Sequence, residues 1–208
     1  MIATGPVAFH HRVEPEDEAR ANVYGLLASL YERAPDSALL ARVGHGERLP
    51  DPDSLPFARS YNRLADASVA MDASAARQEY FDLFVGVGKC EVNLHASHWL
   101  SGYMMEKPLA ELRTDLQRLG IARRSDASLV EDHLALLCET MRMLIVGDGG
   151  LRPAPLGIQH EFFEKHLGEW VFRCCDAISS SQVANYYACV AEWTTAFLAI
   201  ERDSLAME

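Results

Sequence analysis

Residues 80–99 read YFDLFVGVGKCEVNLHASHW, and the rest of the chain is arranged around this stretch. Its first residues have the aromatic and aliphatic spacing of a helix, which we expect to end at Gly86 and Gly88. The loop that follows carries five side chains able to bind a ligand or a partner: Cys90, His95, Ser97, His98 and Trp99. We therefore interpret this stretch as a site that holds a substrate, a metal ion or another chain.

The composition is that of a globular protein rather than a disordered one. The chain has 208 residues, of which 49% are apolar and 24% charged, enough to form one domain or two closely packed lobes. The net charge of −11 argues against binding to nucleic-acid backbones, which requires a basic face. It favours basic or apolar partners, although an acidic surface is also common in proteins without such partners.

Cysteine usage and the N-terminal sequence predict a cytoplasmic location. The five cysteines are odd in number and irregular in spacing, without a C-x-x-C pair, which is typical of free, mostly buried thiols in a reducing compartment. The N-terminus lacks a basic segment followed by an apolar core, so we expect no secretory signal. No apolar run approaches the length needed to span a membrane.

Upstream and downstream of the quoted stretch, apolar residues recur at helical spacing, and no segment shows strand alternation bounded by hairpin turns. The sequence thus predicts an all-α fold of about seven to ten helices. The predicted helices begin near Glu16, Ser37, Pro56 (capped by Ser54), Ser74, Pro108, Ser128, Leu156 and Ser181, with one more ending at Ile178. We predict a loose tail over 1–15, an N-terminal helical lobe over 16–146 with a central loop at 85–99, a hinge-like loop over 147–157, and a C-terminal helical lobe over 158–208.

A metal site is one alternative for the central loop. Cys90, His95 and His98 have a spacing that places three ligands around one ion, and His133 is a candidate fourth. The paired cysteines or H-E-x-x-H spacing of common zinc sites are missing. A G-x-S-x-G nucleophile, a P-loop and a G-x-G-x-x-G loop are also missing, so we expect neither an enzyme nor a bound cofactor or metal. A metal- or nucleotide-handling helical protein remains the alternative hypothesis.

The sequence Glu131-Asp132-His133 permits two interpretations. Ser128 and Glu131 have the spacing of a capping box, which places Asp132 in the first turn of a helix and makes His133 a core histidine. Alternatively, the acid–histidine pair lies at the rim of an apolar groove, facing the central loop. There it would receive arginines or other polar groups of a bound peptide.

Three segments together resemble the TorD/DmsD family of redox-enzyme maturation chaperones. They are Leu83-Phe84-Val85-Gly86 with the loop ending in Ser97-His98-Trp99, then Glu131-Asp132-His133-Leu134, then the block from Phe162 to Trp170. The order and spacing match over roughly Tyr80 to Ile178. The sequence departs from the family pattern at Val87, at Asn93-Leu94 and at Val130, where family members have prolines.

The resemblance implies a cytoplasmic chaperone with a two-lobed, all-helical fold and no cofactor of its own. It implies a client that is the precursor of a molybdopterin-containing oxidoreductase, held commonly at its twin-arginine signal peptide until the cofactor is inserted before export. The positions that the resemblance ties to peptide binding are Tyr80, Leu83, Phe84, Ser97, Trp99, Asp132 and His133. His95 takes a position that is often aromatic in the family, and we add it and Glu131, the latter as part of an acidic rim. The protein would act as a monomer or a homodimer, without nucleic acid and without insertion into a membrane.

The physical chemistry of a signal peptide agrees with this interpretation. Such a peptide has a basic end and an apolar, helix-prone run, so its receptor needs an apolar groove with an acidic rim. Leu83 and Phe84 also have the spacing of ordinary core residues, whereas Tyr80 and Trp99 have polar tips and are expected to be partly exposed. A further alternative is an adaptor that binds a folded redox-enzyme subunit through an apolar patch.

Overall fold

The computed structural model describes residues 14–50, 55–122, 128–148 and 150–207. These residues form ten α-helices. They are α1 (Pro15–Glu32), α2 (Ser37–Gly44), α3 (Pro56–Ala70), α4 (Ala73–Tyr80), α5 (Ala96–Ser101), α6 (Lys107–Arg118), α7 (Leu134–Val146), α8 (Leu156–Phe163), α9 (Val171–Ser180) and α10 (Tyr186–Leu205). One turn of π-helix continues α4 over Phe81–Val85 and another continues α8 over Glu164–Gly168. The all-α prediction is confirmed, because the described residues contain no strand beyond one isolated β-bridge.

Most helices begin where proline or a short acidic side chain favours it. Pro15, Pro56 and Pro108 lie in the first turns of their helices, where the missing N–H costs nothing. Asp36 caps α2 and Asp72 caps α4 through backbone N–H groups. The predicted start of α4 at Ser74 lies one residue after its observed start at Ala73, and the predicted cap of α3 at Ser54 lies outside the described residues.

Two predicted helix starts are wrong. Helix α7 begins at Leu134 with His133 as its N-cap, so Ser128 and Glu131 form no capping box, and Asp132 precedes the helix. Helix α10 begins at Tyr186 rather than Ser181, because the Glu79 carboxylate accepts hydrogen bonds from the backbone N–H groups of residues 185, 186 and 187. Both starts are fixed by contacts between distant segments.

The helices surround one continuous core. Helix α1 packs along α7, and α10 packs against α3 and α9. The largest wholly buried side chains of this core come from both ends of the chain: Trp170, Trp193, Tyr24, Tyr31, Tyr186, Tyr187 and Phe163. No helix of the described residues is both long enough and apolar enough to cross a membrane.

Contacts between α1 and α10 join the two segments on either side of the predicted hinge-like loop. The Tyr187 hydroxyl donates to the Leu30 carbonyl at 2.8 Å, and the Arg20 guanidinium pairs with the buried Glu201 carboxylate at 2.8 Å. The division into two lobes at 147–157 stays a prediction, and the core continues across it. The predicted tail lies almost wholly outside the described residues.

Candidate functional site

The π-helical turn after α4 divides the aromatic residues of the quoted stretch between the core and the surface. Leu83 is wholly buried and Tyr80 is 8% exposed. The Tyr80 hydroxyl donates to the carbonyls of Tyr31 and Glu32, both at 3.2 Å, at the C-terminal end of α1. Burial, with a smaller effect of Glu32, raises the pKa of Tyr80 to about 12. Tyr80 therefore anchors two helices to each other, and its expected partial exposure is wrong.

Phe84 lies half-buried between this anchor and α10. Its ring contacts those of Tyr80 and Tyr187 edge-on, with centroids 5.2 and 4.9 Å apart. The neighbouring Phe81 and Val85 point outward. Phe81 and Val85 are thus the exposed side chains of the π-helical turn, and the buried side chains of Leu83 and Tyr80 pack beneath them.

The central loop is held by its own backbone and by Trp99. The Val92 N–H donates to the Leu83 carbonyl at 2.9 Å, so the loop folds back onto the π-helical turn. The half-buried Trp99 donates from Nε1 to the Asn93 carbonyl at 2.7 Å. Arg173 of α9 donates to the Trp99 carbonyl at 3.1 Å, and its guanidinium lies 5.9 Å from the centroid of the indole ring. Trp99, which is half-buried as expected, thus ties the loop to α9.

The structure brings the central loop and the segment at 131–133 together through an antiparallel β-bridge between His95 and His133. The Ala96 N–H donates to the Asp132 carbonyl at 3.0 Å, and the Leu134 N–H donates to the Leu94 carbonyl at 2.8 Å. These bonds fix the start of α5 beside the start of α7.

Asp132 is the most deeply buried charged residue of this region, at 1% exposure. Its Oδ2 accepts from the backbone N–H of Ser97 at 3.0 Å and from the Ser97 hydroxyl at 2.5 Å. Its Oδ1 is buried and has no hydrogen-bond partner among the described residues. A buried polar atom without a partner costs free energy, so a donor that reached this oxygen would relieve that cost.

Asp132 lines a cavity of about 280 Å³ between α5, α6 and the second π-helical turn. Its walls combine apolar and charged side chains: Ala96, Leu100, Pro108, Leu112 and Leu137 with Ser101, Lys107, Glu111, Lys165, His166 and Glu169. On one side, His166 Nε2 lies 3.0 Å from Asp115 Oδ2, and the Lys165 ammonium lies 2.6 Å from the same oxygen. The buried residues that line the cavity are thus the apolar Ala96, Leu112 and Leu137 together with Asp132 and His166. Charged side chains of both signs also line it.

The two histidines of the β-bridge lie edge to face, with ring centroids 4.9 Å apart. His133 Nδ1 accepts from the Ala135 N–H at 3.2 Å and so caps α7. Burial, and then the neighbouring His95, lower the pKa of His133 to about 3. Burial also lowers the pKa of His95. The neighbouring Asp132 raises that pKa and His98 lowers it further, but burial has the largest effect. Both rings are neutral near pH 7, so His133 is a helix cap rather than a source of positive charge.

Glu131 is more exposed than the neighbouring Asp132. Its carboxylate pairs with Arg113 of α6 at 2.9 Å. Asp132 is buried and therefore does not contribute to an exposed acidic rim in this conformation, which differs from the expectation. The remaining site residue of the sequence prediction, Ser97, is wholly buried and belongs to the Asp132 hydrogen-bond system.

The alternative of a metal site receives no support from the geometry. Within the part of the chain that the structure describes, no three His, Cys, Asp or Glu side chains are grouped so that they could hold an ion. All five cysteines are free, four of them are buried, and Cys90 is half-buried, as the sequence predicts.

Two residues that position the site were missed by sequence reasoning. Asn93 accepts the Trp99 indole N–H on its carbonyl and the His95 backbone N–H on its side chain at 2.9 Å. An asparagine side chain that accepts from the backbone N–H two residues later is a common turn signal. The sequence therefore contained a signal for this role of Asn93. Glu79, which caps α10, carries no local signal, because its partners lie more than 100 residues away.

Comparison with known proteins gives matches to one family model and to solved structures. The family model described as "Nitrate reductase delta subunit" matches residues 51–176, more than half of the chain. A solved structure, that of a proposed redox enzyme maturation protein from Archaeoglobus fulgidus, superposes with a TM-score of 0.55 at 14% sequence identity, covering 94% of this chain and 99% of that one. That likeness concerns the fold. No curated protein sequence matches the chain.

Proposed function

The chain belongs to the nitrate reductase delta subunit family of redox enzyme maturation chaperones, which are not catalysts, and from this premise we propose that it holds a molybdoenzyme precursor in the cytoplasm. The client segment is the twin-arginine signal peptide, and its release follows insertion of the molybdopterin cofactor. The chaperone contributes binding and needs no cofactor of its own.

One observation carries the assignment of the site: Asp132 lines the cavity, and its buried Oδ1 has no hydrogen-bond partner among the described residues. A guanidinium donates several N–H groups in a fixed plane and suits such a carboxylate better than any other side chain. The half-buried His95 ring lies at the end of the central loop, where it is bridged to His133, and the half-buried Trp99 ring lies in α5 directly after it rather than in the predicted loop. The net charge of −11 favours encounter with a basic peptide.

Residues proposed for client binding differ in how they act. His95, Trp99 and Phe84 are half-buried and Glu131 is partly exposed, so they can touch a peptide directly. Tyr80, Leu83, Ser97 and His133 are buried and act by holding the loop, the π-helical turn and α7 in place. Asp132 is reached only through the cavity.

The test is calorimetric titration with leader peptides of molybdenum enzymes from the source organism. Each peptide is compared with a version in which citrulline, which is neutral and nearly isosteric, replaces both arginines. We expect micromolar binding that weakens about tenfold or more on replacement. In the Asp132→Asn variant, the two peptides should bind equally.

Asp203→Asn is the matched control, because it makes the same change of charge on an exposed residue of α10. It should bind like the wild type. Equal affinity of the wild type for both peptides would overturn the assignment of Asp132. Binding of the mature subunit alone, with no affinity for any leader, would replace the leader-binding function by that of an adaptor for a folded subunit.

A further inference from the structure

The loop between α5 and α6 exposes three consecutive large apolar side chains. Tyr103 is 72% exposed and Met105 is 67% exposed, and Met104 between them is also exposed. Burial of such side chains against a partner is favourable. Unbranched, polarisable methionines adapt to the shape of apolar partners. We call residues 102–106 the methionine loop.

The backbone of the methionine loop is held in an unfavourable conformation. Met105 has φ +59° and is the one non-glycine residue of the described chain with a positive φ. A left-handed conformation at such a residue persists only when surrounding contacts impose it. The contact here is a hydrogen bond of 3.2 Å from the Met105 N–H to the Ser97 hydroxyl oxygen.

This hydrogen bond connects the methionine loop to Asp132. The Ser97 hydroxyl that accepts from Met105 donates to Asp132 Oδ2 at 2.5 Å. The Ser101 hydroxyl, which lines the same cavity, lies 3.1 Å from the Tyr103 carbonyl oxygen. Lys107 and Pro108, directly after the loop, line the cavity as well. The residues on both sides of the loop thus line the cavity that Asp132 also lines.

We propose that the methionine loop is the docking surface for the apolar stretch of the client leader, an inference that rests on the proposed function. A cationic donor of the partner would be placed at the unpartnered oxygen of Asp132, and the exposed apolar side chains belong to the loop whose flanking residues line the same cavity. A partner that complements both has a guanidinium followed closely by apolar residues, which is the order found in a leader peptide.

The hydrogen bonds between Ser97 and Asp132 and between Met105 and Ser97 couple the proposed cation site to the methionine loop. A cation at Oδ1 withdraws charge from the carboxylate and weakens its bond to the Ser97 hydroxyl. Ser97 then holds the Met105 N–H less firmly, and the loop gains freedom to fit the apolar stretch. Because such coupling is reciprocal, the apolar stretch also strengthens binding of the cation.

The test uses a synthetic probe peptide, acetylated and amidated, with two arginines, a one-residue spacer and a leucine-rich stretch. Two further probes carry serine in place of every leucine, or citrulline in place of both arginines. The protein variant is Tyr103→Ser with Met105→Ser, since serine removes the apolar surface. Ile200→Ser, an exposed apolar residue on α10, is the control.

The double variant should bind the leucine probe about tenfold more weakly than the wild type, and the serine probe within about twofold. Ile200→Ser should match the wild type with every probe. Hydrogen exchange at the Met105 amide should speed up when the serine probe binds, because this probe supplies the cation without covering the loop, and the Ser97→Ala variant should show this fast exchange without any probe.

Unchanged affinity of the double variant for the leucine probe, with citrulline still weakening binding, would overturn this inference and leave the proposed function intact. Equal binding of arginine and citrulline probes by the wild type would instead overturn the proposed function. A dimer of the wild type that the double variant loses would assign the loop to contact between two copies of the chain, and would overturn the inference too.

Discussion

Replacing Glu79 by alanine should strongly destabilise the protein. Glu79 is 8% exposed and lies at the end of α4. Its Oε1 accepts from the backbone N–H groups of Asn185 and Tyr187 at 2.8 and 2.7 Å, and its Oε2 accepts from that of Tyr186 at 3.0 Å. One side chain thus satisfies three orphan donors at the start of the longest helix.

The magnitude follows from what the substitution leaves behind. Each buried N–H without an acceptor costs about 1–3 kcal/mol, and the favourable contact of a carboxylate with the helix dipole is lost as well. Water entering the space of the removed side chain recovers part of this cost. We expect a loss of about 4 kcal/mol in the free energy of unfolding, which corresponds to a fall of roughly 8–16 °C in Tm for a chain of this length.

The assay is urea unfolding followed by circular dichroism, with the m-value checked for two-state behaviour. Gln78→Ala is the control, because Gln78 precedes Glu79 in α4 but is exposed and bonds only to Asp82. It should change stability by less than about 0.5 kcal/mol. A loss below about 1 kcal/mol for Glu79→Ala at an unchanged m-value would refute the capping of α10 by this carboxylate.

Two more predictions concern the segments around the site. Because the pKa of His133 is about 3 in the folded state and about 6.5 unfolded, only the unfolded state binds its proton between these values, so stability falls by about 2 kcal/mol as the pH drops from 6.5 to 5. His133→Asn keeps a capping acceptor that does not titrate, and an equally steep fall of the urea midpoint in this variant would contradict the assignment. At Gly86, with φ +63°, an added Cβ would collide with the Lys89 backbone, so Gly86→Ala should lower Tm well below that of Gly88→Ala, where φ is +89° but nothing lies within 4 Å. Equal Tm values would show that the loop is not folded as described.

The burial of Leu83 and Tyr80 affects how substitutions in the quoted stretch should be interpreted. Both side chains support the π-helical turn from inside. A loss of client binding on replacing either one would therefore report a loss of local structure unless stability is measured alongside. Substitution of the half-buried Phe84, His95 or Trp99 separates contact from support more cleanly.

Much of the fold could be predicted from local patterns. Apolar periodicity predicted the all-α class, and proline and aspartate fixed helix starts such as Pro15, Asp36 and Pro56. These signals act within one or two helical turns, so a single sequence contains them in full. The free cysteines and the break of the helix at Gly86 were predicted for the same reason.

The same local patterns failed at Ser128 and Glu131, which have the spacing of a capping box but do not form one. Their segment instead makes a β-bridge to the central loop, and His133 caps α7. Tyr80 was expected to be partly exposed because its hydroxyl needs a polar partner. The partner is the C-terminal end of α1, about 50 residues earlier in the chain.

By itself, the sequence determined the helices, the approximate place of the site and the family resemblance, since each depends on residues close together in the chain. Only the tertiary structure decided that Asp132 is buried against Ser97, 35 residues away, and that its other oxygen has no partner among the described residues. It also decided that Met105 is held in a left-handed conformation beside the same cavity. The physical reason is that a buried carboxylate takes whatever donors the packing of distant helices brings to it, and no spacing within one segment specifies that packing.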